Sequence, residues 1–384
     1  MILSEYKSKE LIAQYGVKIP DGRVATTAAE AEERCREIDA TKYVVKAQIG
    51  AGGRGLAGGI KFAATPSAVR SEVTKMLGKP LITEQTGTSG EIVSEVYVEA
   101  AVAIAKDVFI AIVLNPVTAQ PTLLASANGG VEFEQMARMD PDVVSSIVLI
   151  EGADISGFLN GLGFADSSAA ANAIASATKA FVANDMTLLE INPFAYTEAG
   201  EWLAVDAKVS LDGNAMYRHP ELESLVSDDS LTPAERVAHE NEINFVKLDG
   251  DIGVVVNGAG LGLATNDMLV AAGGKPANFM DIRTTATSFQ ITRGVELLLE
   301  DPTVKLILLN VHGGGMTVCD TVAEGVAFAY ARSSRKLPII ARLAGQNAEW
   351  AMKILNDRLL PVETCKDMTS AVSRAVAIAN GRAA

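Results

Sequence analysis

From Asp251 onward the chain alternates short apolar runs with amphipathic stretches, and few folds accommodate that rhythm. It predicts strand 252–256, helix 262–272, strand 277–281, helix 288–300, strand 304–311, helix 320–333, strand 337–343, helix 347–357, strand 359–362 and helix 367–380. Apolar strands alternating with helices specify a doubly wound α/β domain of flavodoxin-like or Rossmann-like type. Ligands of such domains sit where the carboxyl ends of strands meet helix N-termini. Three loops rich in small residues converge there: Asn257-Gly258-Ala259-Gly260, Arg283-Thr284-Thr285-Ala286-Thr287, and His312-Gly313-Gly314-Gly315-Met316-Thr317. Each opens a helix, where exposed N–H groups and the helix dipole favour a carboxylate or phosphate. Gly258-Ala259-Gly260-Leu261-Gly262, with Asp281 further on, is close to a dinucleotide fingerprint. The third glycine is off register, which favours a tight turn or a carboxylate-binding loop. His312 ends a strand without a visible partner carboxylate, so a backbone-satisfied or substrate-contacting histidine fits better than a catalytic one.

The N-terminal half reads as α+β. Ser4 is placed to cap a helix over 5–15, and a second helix, 28–38, precedes the strand 43–48. A loop at 50–59 then holds six glycines in ten positions and returns into a strand at 60–63. Glycines at that density let backbone amides approach phosphate oxygens without Cβ interference, and Lys46 and Arg54 add charge. A P-loop is absent. A helix at 66–77, strands 81–85 and 94–99, a hairpin over 108–126 turning near Asn115-Pro116, and helices near 153–160 and 166–183 follow.

The stretch Thr187–Ser210 reads as two strands joined at Glu198-Ala199-Gly200. Alternation puts Glu190 and Asn192 on one face of the first arm, and Asp206 and Lys208 on one face of the second. If the arms pair, two carboxylates and a carboxamide gather near a lysine, a set of oxygens suited to Mg²⁺. A solvated polar face on an amphipathic hairpin is the alternative. Residues 221–250 carry eight acidic and two basic side chains, and read as an exposed connection with a turn at Asp228-Asp229-Ser230 and a short helix at 233–242.

A chain of 384 residues exceeds one ordinary core. The expected organisation is a nucleotide-binding domain over 1–220 with a small subdomain at about 21–103, the connection 221–250, and an α/β domain over 251–384. A net charge of −14 disfavours nucleic acid and anionic membranes as partners. The start, MILSEYKSKEL, has no apolar core of a leader, and no run reaches the roughly 18 apolar residues of a membrane span. Three scattered cysteines, Cys35, Cys319 and Cys365, argue against a disulfide framework or structural zinc and fit a cytoplasmic location.

EYKSKELIAQYG, VVKAQIGAGGRGLAGGIK, VYVEAA, SANGGVEFE, LLEINP, AVDAK, DGNAMYRHPEL, DGDIGVVVNGAGL and GGKPANFMD occur in order over essentially the whole length. In these motifs the chain resembles the β subunits of succinyl-CoA synthetase and its relatives, ATP-grasp acyl-CoA ligases that include malate–CoA ligase. The resemblance implies an N-terminal ATP-grasp domain of two α+β subdomains ahead of the doubly wound domain. It implies that Lys46 and Gly53-Arg54-Gly55 hold nucleotide phosphates, that Glu99 lies on the adenine hinge with Val102 among the nucleotide contacts, and that Asp107 stands at an acidic ribose contact. Asn192 and Asp206 would bind Mg²⁺, and Glu190 would sit beside a phosphohistidine brought by a partner α subunit. The implied reaction converts a carboxylic acid, ATP and CoA to acyl-CoA, ADP and phosphate through an acyl phosphate, with CoA bound mainly by the α subunit. ATP is the implied nucleotide, with GTP the alternative, in an αβ or α2β2 assembly with tricarboxylic-acid-cycle-like chemistry.

Two loops depart from that family. Its Gly-Gly-Gly-Ala run is here Ile282-Arg283-Thr284-Thr285-Ala286, and its Phe-Gly-Gly-Ile-x-Arg-Cys-Asp loop is the longer His312–Asp320, which lacks the arginine. Asn257, Arg283, Gly313, Gly314, Gly315 and Thr317 are therefore the candidate acid-site residues. Losing one guanidinium and gaining another reshapes a small anionic pocket, so the expected substrate is a succinate-like acid or a different one. A catalytically silent assembly subunit and a dinucleotide-binding oxidoreductase are the competing readings.

Overall fold

The first helix, α1 (Glu5–Ala13), buries Glu5, Ser8, Lys9, Leu11 and Ile12, a stripe in which two of five members are charged. Ser4 takes the N-cap position, but its hydroxyl makes no cap bond; its carbonyl accepts from Ser8 Oγ at 2.9 Å. The computed structural model describes residues 1–86, 90–223, 225, 232–283 and 285–381. They fall into two units, Met1–Ser230 and Leu231–Ala384.

In the first unit a four-stranded antiparallel sheet follows α1. Its members are β1 (Gly22–Ala25), β2 (Tyr43–Gln48), β3 (Ile60–Ala63) and, beyond the short pair β4 (Pro80–Leu81) and β5 (Glu91–Ile92), β6 (Glu95–Ala100), in the order β1-β6-β2-β3. Helices α2 (Ala28–Arg34) and α3 (Pro66–Met76) cover one face through Ala31, Val69 and Val73. The helix expected over 28–38 stops at Arg34 and tightens into a 3-10 turn, Cys35–Glu37. The strand expected over 81–85 ends at Leu81, because Thr86 Oγ1 takes the Thr83 N–H (2.8 Å) and Thr83 Oγ1 takes that of Gln85 (3.1 Å). Local hydroxyls there outcompete a ladder.

A larger sheet runs β11-β10-β7-β8-β9, with β12 also paired to β10. Its strands are β7 (Ile104–Leu114), β8 (Pro121–Ser126), β9 (Ser145–Val148), β10 (Met186–Thr197), β11 (Trp202–Ala204) and β12 (Ala207–Leu211). Helix α4 (Phe133–Met139) follows β8; α5 (Ile155–Gly161) and α6 (Ser167–Ala183) pack with α1 on a core that includes Leu11, Ile12, Ile174, Phe181 and Ile191. Among the described residues no helix is long and apolar enough to cross a membrane.

The chain leaves this sheet through a 3-10 segment, Gly213–Arg218, and a short helix, α7 (Pro220–Glu223). His219 clasps the preceding fold: Nε2 lies 2.7 Å from Asp185 Oδ2, and Nδ1 lies 3.3 Å from Glu221 Oε1. The hydrogen bond to Asp185, aided by Glu221, raises the imidazole pKa above its usual value. A raised folded-state pKa contributes stability that is complete below the unfolded value and is lost as pH climbs through the folded one. His219→Gln is accordingly expected to lower the melting temperature most at about pH 6 and progressively less toward about pH 9, in parallel melting curves. A pH-independent difference would refute the charged clasp.

In the second unit the segment read as an acidic connection does more than connect. Thr232 and Glu235 form a reciprocal capping box for α8 (Pro233–Glu240), and β13 (Asn244–Lys247) adds an antiparallel edge strand. The turn expected at Asp228-Asp229-Ser230 lies outside the described residues. Then come β14 (Ile252–Val256), α9 (Ala259–Ala271), β15 (Asn278–Asp281), α10 (Ser288–Glu300), β16 (Leu306–Gly313), α11 (Cys319–Arg332), β17 (Ile339–Gly345), α12 (Ala348–Asp357), β18 (Val362–Thr364) and α13 (Met368–Ala379). The order β13-β15-β14-β16-β17-β18 makes the five parallel strands 2-1-3-4-5, the flavodoxin-like arrangement, with its switch point between β14 and β16. One core holds Ile291, Val295, Val322 and Val326 against Ile307 and Leu309; the other holds Leu269, Val372 and Val376 against Val254 and Leu308.

Candidate functional site

The irregularities of the second hairpin lie opposite one another. Strand β10 loses register with β7 between Ile191 and Phe194, where the Asn192–Pro193 peptide is cis. Across from it, Val205 and Asp206 interrupt the second arm between β11 and β12. A regular ladder continues on the near side, with Glu190 opposite Lys208 and Ile191 opposite Ala207. Buried Leu189, Ile191, Ala207 and Val209 alternate with half-buried Glu190 and Lys208, as period-two patterning requires.

Glu190, Asn192, Asp206 and Lys208 line a cavity of about 550 Å³ in the first unit, a size usual for small-ligand sites. Lys46, Gly53, Arg54, Gly55, Glu99, Val102, Glu190, Asn192 and Asp206 all face it, so the strand, loop and hairpin residues singled out in sequence meet in one place. Asp107 does not line it; it stands exposed on β7 beside Gly130, which does. The glycine loop is pinned at its near end, since Gly50 N–H donates to Glu91 Oε1 (2.8 Å) and Gly52 N–H to Gln85 Oε1 (2.9 Å). Gly53 follows with φ +77°, a conformation that only glycine adopts readily.

Charge in the cavity is heavily paired. Lys46 Nζ donates to Glu5 Oε1 at 2.8 Å and to Val205 O at 2.7 Å, and forms an ion pair with Glu99 Oε1 at 2.6 Å. Arg54 joins Glu5 Oε2 at 2.7 Å, Ala47 O at 3.1 Å and Asp206 Oδ2 at 2.8 Å. Lys9 Nζ meets Glu99, and reaches Val205 O at 2.9 Å. Three cations thus face three carboxylates: Lys9, Lys46 and Arg54 against Glu5, Glu99 and Asp206. Burial opposes the charge on Glu5, but Lys46, Arg54 and Lys9 outweigh it and hold that carboxyl well below the usual glutamate range. Against burial, Glu5 and Glu99 raise Lys46, and Asp206 and Glu5 raise Arg54. Asp206 goes the other way, because burial and the nearby Glu5 charge push it up against the pull of Arg54.

The lining suits a nucleotide with a hard divalent cation. Asp206 and Asn192 offer oxygen donors, of which Mg²⁺ takes one or two while keeping water and phosphate oxygens. Asn192 Oδ1 already accepts from Gly130 N–H at 2.7 Å, and a carboxamide oxygen retains a second lone pair. Among the described residues no three His, Cys, Asp or Glu side chains gather as a metal site.

The loops of the second unit are less alike. Asn257 spends its amide on the His312 backbone, donating from Nδ2 to His312 O (2.8 Å) and accepting the His312 N–H on Oδ1 (2.9 Å). That clip ties β14 to β16 at the switch point. Gly313, Gly314 and Gly315 follow, and Thr317 is fully buried with its Oγ1 unpartnered. Arg283 is not brought to this group: its guanidinium reaches Asn244 Oδ1 (3.3 Å) on the edge strand β13, and its neighbour Thr284 lies outside the described residues. Asp281 Oδ1 accepts the N–H groups of Gly258 (2.6 Å) and Arg283 (2.8 Å), so the acid of the dinucleotide-like spacing is occupied by backbone. Gly345 packs where any Cβ would stand 2.2 Å from Gly313 O, at φ +81°. Gly345→Ala is expected to destabilise the protein by about 1–3 kcal/mol, read as a lower urea midpoint; an unchanged midpoint would show that the loop yields.

The fold and the cavity together define an ATP-grasp ligase chain carrying a doubly wound second unit. Residues 2–196 match the family model of the ATP-grasp domain and residues 255–376 that of the CoA-ligase domain. The chain belongs to the family of succinate–CoA ligase (ADP-forming) β subunits. It is 39% identical to that subunit of Acidiphilium cryptum, with 98% of each chain covered, and 37% identical to that of Bacillus velezensis, covering 98% of this chain and 100% of the relative. The ATP citrate lyase of Methanothrix soehngenii, solved with citrate and coenzyme A, shares the fold at TM-score 0.75 over 99% of both chains, with 17% identity.

Glu5 and Lys9 escaped the sequence reading. The available signal was a charged pair at i, i+4 on the stripe that also carries Leu11 and Ile12, where charges are rare unless paired.

Proposed function

We propose that this chain is the nucleotide-handling β subunit of an ADP-forming acid–CoA ligase, which forms acyl-CoA, ADP and phosphate from a carboxylic acid, ATP and CoA. The observation that carries this reading is the single cavity in which a glycine loop, Lys46, Arg54 and Glu99 face Asn192 and Asp206. Lys46, Arg54 and the Gly53–Gly55 backbone would orient the phosphates, Glu99 and Val102 the base, and Asp107 a ribose reaching past Gly130. Asn192 and Asp206 would hold Mg²⁺, which when bound neutralises charge on the phosphates during phosphoryl transfer. Glu190, opposite Lys208, would stand beside a histidine carried by an α subunit that also binds most of the CoA.

The acid would be read by the second unit, through the backbone at Gly313–Gly315 and the Asn257-clipped loop, with Thr317 beside them and without Arg283, whose guanidinium is turned to Asn244. Because these loops are altered while the nucleotide residues are retained, the preferred acid differs from succinate. Coexpression with an α subunit of the same family, followed by a screen of mono- and dicarboxylic acids for CoA-dependent ADP release, tests both statements. Sustained ADP release over many turnovers with no acid present, beyond the single equivalent expected from phosphorylating the histidine, would sink the ligase reading. Turnover of succinate as efficient as that of any other acid would sink the altered specificity alone.

A further inference from the structure

Helix α1 carries none of the residues assigned above, yet it supplies the centre of the charge network. Glu5 divides its oxygens between two cations on different elements, Oε1 to Lys46 on β2 and Oε2 to Arg54 in the glycine loop. One turn later Lys9 meets Glu99 on β6 and the carbonyl of Val205, the residue before Asp206. A single helix turn thereby touches both sheets of the first unit and four of the groups facing the cavity or adjoining it. Glu5 and Lys9 are among its least exposed side chains.

We propose that Glu5 is a positioning residue for nucleotide phosphates, holding Lys46 and Arg54 at the spacing that receives a nucleoside diphosphate. Lys9 acts in the same way on Glu99. The proposal rests on the nucleotide reading above and adds two residues to it. Lysine and arginine side chains lose considerable rotamer freedom when fixed. Glu5 imposes that loss before the ligand arrives, which is the general benefit of preorganisation. Anchoring a helix alone does not call for buried ions, since apolar side chains of similar volume serve at least as well. Leu11 and Ile12 already provide such an anchor on α1. The opposite role is physically coherent too: a carboxylate between two cations resembles a phosphate and would compete with it.

The two roles differ in sign. Binding of MgADP and of adenosine to the full-length chain is measured by calorimetry and by competition, for the unaltered protein, Glu5→Gln and Glu5→Asp. The unaltered protein must bind MgADP; if it does not, the nucleotide reading fails and this proposal falls with it. Given that binding, Glu5→Gln is expected to weaken MgADP by about tenfold or more, close to 1.4 kcal/mol per factor of ten, while adenosine is held as before. Parallel losses of both ligands would reduce Glu5 to a structural role, and tighter MgADP would make it a competitor; either overturns the proposal. Glu5→Asp keeps the charge but is too short to span both cations. It should show the same phosphate-selective loss in smaller measure if Glu5→Gln does not fold, and unchanged MgADP affinity in Glu5→Asp would also overturn it.

Discussion

Asp206→Asn is expected to abolish turnover, lowering the rate by about a thousandfold or more, because it removes the only carboxylate of the pair proposed to hold Mg²⁺. The substitution preserves volume and leaves Arg54 its bonds to Glu5 and Ala47 O, so the fold survives. The diagnostic is the metal dependence of binding. In the unaltered protein ADP should bind more tightly with Mg²⁺ than without it, and in Asp206→Asn the difference should collapse. Nucleotide-dependent phosphorylation of the α-subunit histidine should vanish as well. Retained phosphorylation, or an undiminished response to Mg²⁺, would place the cation elsewhere.

Lys46→Met is expected to cost both binding and stability. Lys46 satisfies Glu5, Glu99 and Val205 O simultaneously, and Glu5 and Glu99 are nearly inaccessible. Removing one partner from such a buried network typically costs about 3–5 kcal/mol, since the remaining charge is left in a poorly polarisable setting. Nucleotide affinity should fall below detection, with the Lys46 ammonium lost from the cavity and the Glu5 carboxylate, which also lines it, left less neutralised. The pH dependence follows from linkage. In the unaltered protein the depressed Glu5 pKa contributes stability that persists above the usual glutamate range and fades only on strong acidification. Without Lys46, Glu5 keeps Arg54 and Lys9 but loses the strongest of the cations that offset its burial, so its carboxyl takes up a proton more readily in the folded state. The stability gap between the two proteins should therefore narrow from about pH 7 to about pH 5 in urea titrations. A gap that stays constant would mean that the carboxylates relax toward solvent instead.

The proposal for Glu5 and the expectation for Lys46 concern one network seen from opposite charges. Asp206 is the most exposed of its three carboxylates. Under the proposed Mg²⁺ assignment it is the member placed to exchange Arg54 for a metal, whereas Glu5 stays paired in the interior. That division would let the site change ligands at its open side while its interior holds position.

Legibility differed between the two halves for reasons that can be named. The second unit was read almost strand by strand, because parallel strands covered on both faces are continuous apolar runs and their helices carry an independent period. The missed element was β13: its Asn244–Lys247 run is short and lies in an acidic stretch, and it becomes a strand only through pairing with β15. In the first unit, six glycines between two strands and the Glu190, Asn192 and Asp206 pattern pointed to the cavity. The strand expected beyond Leu81 was lost to hydroxyl–backbone bonds that propensity does not register.

Among the candidate acid-site residues, Asn257 and Gly313–Gly315 come together through the amide clip to His312, while Arg283 reaches for Asn244 at the sheet edge. Side-chain direction at a left-handed residue, here φ +61°, is set by the loop it terminates and has no periodic signature.

Periodicity, glycine density and ordered motifs are local properties, and by themselves they determined the α/β architecture, the phosphate-type loop and the oxygen-bearing hairpin. Which charges oppose which is a property of distance through space. Glu5 is 41 residues from Lys46 and 49 from Arg54, and Arg54 is 152 from Asp206. Only the folded chain brings these groups within hydrogen-bonding reach, so only the tertiary structure decided that the first helix belongs to the site.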